Sequence, residues 1–110
     1  MTVEDDDKVF KALADASRRQ LLDRLRRDAG LTLGELCEGH DMSRQAVSKH
    51  LALLEDASLV VTIRQGREKL HYLNPAPIGA IYSRWIGRFE RERIQALETL
   101  KQALKESKDD

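Results

Sequence analysis

The sequence predicts a mainly α-helical domain with one small β-hairpin, in the order α-α-α-α-β-β-α, and three observations carry that prediction. Apolar residues recur at helical spacing from about residue 5 to residue 57. After Ser58 the pattern becomes two short β-prone runs on either side of Gln65-Gly66-Arg67. From Pro77 to about residue 106 the helical spacing returns. A chain of 110 residues suits one compact domain and is short for two. Residues 1–110 therefore read as a single domain, with 1–4 and 107–110 expected to be flexible ends.

The first helix is expected over residues 5–15, where Val9, Phe10, Leu13 and Ala14 share a face and Asp5 to Asp7 suit a positive helix N-terminus. The second spans 17–28, with Ser17 as its N-cap, Leu21, Leu22 and Leu25 as its apolar stripe and Gly30 as its stop. Thr32 caps a short third helix that turns Leu33 and Leu36 inward. Glu35, three residues on, completes a capping box, and Gly39 closes the helix. Ser43 caps a fourth helix running to about Ala57, its buried stripe being Val47, Leu51 and Leu54. Two short helices joined by a three- or four-residue turn containing glycine form a helix-turn-helix signature.

The fourth helix bears the chemistry. At ~100° per residue, Val47, Leu51 and Leu54 fall together, and Gln45, Ser48, Lys49 and Ala52 fall opposite. Short polar side chains of this kind suit a DNA major groove, since Gln pairs with an adenine edge and Lys with guanine or phosphate. Ser43 and Arg44, at the helix N-terminus, are placed for phosphate. His50 sits at the edge of the buried stripe, so DNA contact and local bonding are both open to it. The hairpin that follows carries Arg64, Arg67 and Lys69, a basic wing for the minor groove or the backbone. His71 on its second strand reads equally as a phosphate contact or a plain strand residue.

Composition narrows the class. The formal net charge is zero, so a general affinity for nucleic acid is not written in the balance of charges. The cations are clustered instead: Arg18, Arg19, Arg24, Arg26 and Arg27 lie in 16–28, and a second group lies in 43–72. Arg18 and Arg19 suit phosphate contact or neutralisation of the acidic N-terminus alike. Cys37 is the single cysteine, so no intramolecular disulfide can form. No apolar run reaches membrane-span length and no signal-peptide pattern opens the chain, which reads as a soluble cytoplasmic protein. No nucleophile is set beside a base, and neither a glycine-rich phosphate loop nor a paired-carboxylate motif is present, so no enzyme and no cofactor are expected.

The runs ASRRQLLDRL, LTLGELCEGHDMSRQAVSKHLALLEDASLV and GREKLHYLNP resemble the ArsR/SmtB family of bacterial winged-helix repressors over about residues 8–100. The resemblance implies a homodimer built from the first and last helices, bound to a two-fold symmetric DNA operator and released by an inducer or by thiol modification. The interface would then take Val9, Phe10 and Leu13 from the first helix and Ile81, Trp85, Phe89, Leu97 and Leu100 from the last. The apolar stripe of 77–106 supports this independently, because it exceeds what the preceding elements can cover. Trp85 and Phe89 read as core or interface, with an apolar inducer pocket as the alternative.

Many metal-sensing members of that family carry a Cys-x-Cys step on the third helix, and others need His and acidic ligands on the last helix. Here Cys37 occupies the first position and Gly39 the second, and the last helix holds neither His nor Cys. One thiolate cannot hold a soft metal alone, so the chain resembles the metal-independent branch and no metal site is expected. Cys37 reads as a small buried hydrophobe, with a redox switch as the alternative, and His40 reads as a turn residue rather than a ligand. The competing function is a winged-helix module that binds a protein partner, from which sequence-dependent DNA binding distinguishes a repressor.

Overall fold

The computed structural model describes residues 3–108, which divide into two compact units on either side of the Ile78–Gly79 bond. Of the ends expected to be flexible, residues 1–2 and 109–110 lie outside the described residues; residues 3–4 and 107–108 are helical.

The first unit holds α1 (Val3–Leu13), α2 (Ala16–Arg27), α3 (Leu33–Glu38), α4 (Arg44–Asp56), β1 (Val60–Gln65) and β2 (Glu68–Leu73). Its core is aliphatic: Val9, Leu21, Leu25, Leu36, Val47, Leu54 and Leu59 are at most 1% exposed. Phe10 lies 42% exposed outside it. Val9 is thus core of the first unit and has no surface left for a partner, which corrects its assignment to the expected dimer interface. The physical reason is local: Val9 and Phe10 differ by ~100° around α1, and only Val9 faces α2 and α4.

Local chemistry sets each boundary. The cap of α2 is Asp15 rather than Ser17, its Oδ1 accepting the Arg18 N–H at 3.1 Å. Thr32 and Glu35 form the expected capping box: the Glu35 N–H donates to Thr32 Oγ1 at 3.2 Å and the Thr32 N–H to Glu35 Oε1 at 3.1 Å. α4 ends in a Schellman turn, with the Leu59 N–H on the Leu54 carbonyl and the Ser58 N–H on Glu55, both at 2.9 Å. Ser58 takes φ 60°, the left-handed position such a turn needs, and the buried pair Leu54 and Leu59 closes it.

β1 and β2 pair antiparallel from Val60↔Leu73 to Gln65↔Glu68, so Gly66-Arg67 is a two-residue loop. Gly66 has φ 64°, as the first central position of a type II′ turn requires. Leu31 adds an isolated rung beside His71. The base of the hairpin is clamped by Asn74, whose Nδ2 donates to the Ser58 carbonyl at 2.8 Å and whose Oδ1 accepts the Ala76 N–H at 3.2 Å.

The stretch expected as one helix over 77–106 is α5 (Ala76–Tyr82), a π-helical turn (Ser83–Gly87) and α6 (Arg88–Lys108). Gly87 is the last residue of the wider turn and Gly79 lies one turn before it, and the low helix propensity of glycine makes departure from α geometry inexpensive there. Within the second unit, Trp85, Phe89, Ile94, Leu97, Leu100 and Leu104 are all more than half exposed. Ile81 is half-buried.

Candidate nucleic-acid interface

α3, the turn from Gly39 to Met42, and α4 make the helix-turn-helix. Ser43 Oγ accepts the Ala46 N–H at 3.1 Å and starts α4. Val47, Leu51 and Leu54 bury one face, and Arg44, Gln45, Ser48, Lys49 and Ala52 are exposed on the rest.

An open groove of about 450 Å³ runs between the start of α3, α4 and the wing. Arg44 and Ser48 line it from α4, and Arg67 and Lys69 from the wing. Four residues singled out from distant parts of the sequence therefore meet at one surface. Gln45 and Lys49 lie exposed on α4 outside that lining, and Arg64 is exposed on β1 opposite Lys69.

Glu55 belongs to the same surface and has no place in the sequence reading. Its Oε1 holds Lys69 Nζ at 3.3 Å, so α4 partly neutralises a wing cation. The pair also relieves the like charges that the register sets opposite each other at Arg64 and Lys69.

The histidines separate. His71 is 4% exposed and donates from Nδ1 to the Leu31 carbonyl at 2.9 Å, so it ties β2 to the chain before α3 and is not a phosphate contact. His50 is half-buried and faces Arg18, whose Nη1–H donates to its Nδ1 at 3.3 Å. It is thereby turned toward the α1–α2 corner and away from the wing. His40 is half-buried in the turn, where burial first, and then the neighbouring Arg24 and Arg27 cations, push its imidazole below the ordinary value of 6.5.

Arg18 and Arg19 have a structural answer. Arg18 donates from Nε to Ala12 and from Nη2 to Lys11, at 2.8 and 3.0 Å, and Arg19 donates from Nη1 to Leu13 at 2.6 Å. Both cap the carbonyl end of α1, where a cation is favoured. The Arg18 N–H, more than its charge, holds the Asp15 carboxyl below the ordinary 3.8.

Cys37 is half-buried rather than fully buried, because a helix of six residues buries only Leu36. Among the described residues no three His, Cys, Asp or Glu are grouped so that they could hold a metal ion. No helix among them is long and apolar enough to cross a membrane.

A winged helix-turn-helix with a polar recognition face and a basic wing defines a class of DNA-binding proteins. Residues 13–63 match a helix-turn-helix domain family. The chain is 42% identical over 86 residues to the uncharacterized HTH-type transcriptional regulator YuzN of Bacillus subtilis, covering 73% of this chain and 94% of that protein. It is 34% identical to the arsenical resistance operon repressor of Escherichia coli, covering 82% and 79%. An ArsR-like transcriptional regulator from Rhodococcus sp. RHA1 superposes with a TM-score of 0.71 at 31% identity, over 96% of this chain and 97% of that one. The chain belongs to the ArsR family of winged helix-turn-helix proteins and is a DNA-binding transcriptional regulator.

Proposed function

We propose that the protein is a homodimeric, cytoplasmic repressor that binds a two-fold symmetric operator, placing α4 of each copy in a major groove and each wing on the adjacent backbone. The carrying observation is the groove shared by Arg44, Ser48, Arg67 and Lys69, next to the exposed Gln45 and Lys49. Gln45, Ser48 and Lys49 read bases, Ser43 and Arg44 hold phosphate, and Arg64 and Arg67 extend the contact along the wing. His50 acts in support, through Arg18, rather than as a reader.

Dimerisation is supported by the exposed Trp85, Phe89, Leu97 and Leu100, an apolar series more extensive than a lone subunit leaves in water. Phe10 and the half-buried Leu13 and Ile81 are the further candidates, with Val9 removed. Half-sites lie about one helical turn apart, roughly 10 base pairs centre to centre. Repression is supported by the E. coli relative, a repressor by name. Regulation is independent of soft metals, since Gly39 offers no donor beside Cys37, and no catalytic step is assigned.

Fluorescence anisotropy with the DNA upstream of the protein's own gene tests this. Gln45→Ala should weaken operator binding by about 1–3 kcal/mol and leave binding to unrelated DNA unchanged. Equal weakening on both DNAs would remove Gln45 from base readout.

A further inference from the structure

Away from the groove, the seam between α1 and α4 holds a pocket of about 170 Å³. Ala12 and the exposed Leu53 give it a mainly apolar lining, and Lys8, Lys11 and Arg18 stand against the one carboxylate of Asp56. The lining therefore carries a formal charge of +2, three cations less one anion. Arg18 spends its donors on Ala12, Lys11 and His50 and lies 3.9 Å from the Asp15 carboxylate, which offsets its charge. Lys8 reaches Asp56 at 3.6 Å with side chains 50% and 63% exposed, and exposed pairs of this kind are weak and exchange partners readily. Lys11 pairs with no carboxylate among the described residues.

Size and charge together select an occupant. A volume of about 150 Å³ takes one benzene ring, so this pocket, open on one side to solvent, has room for a single ring against Leu53, and its two lysines match one carboxylate on that ring. We propose that the α1–α4 seam is an effector site for a small aromatic carboxylate, and that filling it weakens the hold of α4 on DNA. This rests on the regulator reading above. The ligand's carboxylate takes Lys8 from Asp56 and so removes a tie between α1 and α4, while its ring bears on Leu53. α4 is itself a wall of the pocket, and His50, one turn before Leu53, is bonded to the pocket's Arg18. The site stays open in the proposed dimer, because Lys8 and Phe10 lie ~160° apart around α1, on opposite flanks of its buried stripe.

Benzoate is the probe. Titrated into the isotope-labelled full chain, it should shift the amide signals of Lys8, Lys11, Ala12, Leu53 and Asp56 with a millimolar Kd. Benzamide, without the charge, and the double variant Lys8→Met/Lys11→Met should each bind about tenfold more weakly. Leu53→Glu, at an exposed position, should abolish binding with the melting temperature retained. Benzoate at the wild-type Kd should lower wild-type operator affinity measurably, reaching at least threefold at saturation, and at that same concentration should leave the double variant nearly unchanged. No shift at about 20 mM benzoate, or equal binding of benzamide, overturns the site. Shifts without any loss of operator affinity overturn the effector role. Failure to bind operator when benzoate is absent refutes the regulator reading instead, and the titration still decides the pocket.

Discussion

Arg67→Ala separates electrostatic anchoring from base readout. Arg67 sits at the tip of the type II′ turn, is exposed, lines the groove shared with α4, and makes no ion pair among the described residues. One phosphate contact contributes about 0.9 to the slope of log affinity against log salt. Between 50 and 200 mM salt, a fourfold change, the wild type should therefore lose about 3.5-fold more affinity per wing than the variant. The loss should be the same on operator and on unrelated DNA, because phosphate carries no sequence. Stability should stay within about 0.5 kcal/mol, as for other surface changes. Anisotropy titrations at four salt concentrations measure the slope, and an unchanged slope refutes the placement of the wing on the backbone. Glu55→Gln is the companion experiment: it frees Lys69 and should steepen the slope.

Thr32→Ala removes the capping box of α3 and should cost about 1 kcal/mol in urea unfolding; a change under about 0.3 kcal/mol would mean the cap is idle. Because His40 is held below 6.5 in the fold, the unfolded chain binds its proton first as pH falls. Its contribution is complete above about 6.5 and is lost as pH drops through the lower folded value, so thermal melts should fall from pH 7 toward 5, and His40→Asn should flatten that decline. Leu97→Glu with Leu100→Glu, both at positions 56% exposed, should halve the sedimenting mass with helix content retained; an unchanged mass would move the interface elsewhere.

What the sequence revealed follows from range. The Thr32 box, the Ser43 cap, the Val47-Leu51-Leu54 stripe and the Gly66 turn depend on residues within about one turn of each other, and all were legible. Asp15 and Ser17 are both good caps, and the choice between them depended on where the chain entered α2. Val9 was legible as apolar but not as core, since that depends on which face α1 presents to α2 and α4. The π turn left the apolar spacing intact and so left no periodic trace. Glu55 with Lys69, Arg18 with His50, and His71 with Leu31 join residues 14 to 40 positions apart, and no local pattern announces them.

Those long-range contacts decide how a chain of zero net charge can hold DNA. The Schellman turn after α4, the Asn74 clamp and the His71–Leu31 bond fix the wing relative to the recognition helix. On the proposed placement its cations meet phosphate from a backbone already positioned, with little loop ordering left to offset. Their number is small. With Lys69 occupied by Glu55 and Lys49 assigned to a base, each copy offers Arg44, Arg64 and Arg67, and with one phosphate each, the two copies of the proposed dimer limit the salt slope to about −5. A steeper measured slope would require cations outside α4 and the wing. The exposed Arg26 and Arg27 of α2 are the first to substitute in that case, because Arg18 and Arg19 are spent on the carbonyl end of α1.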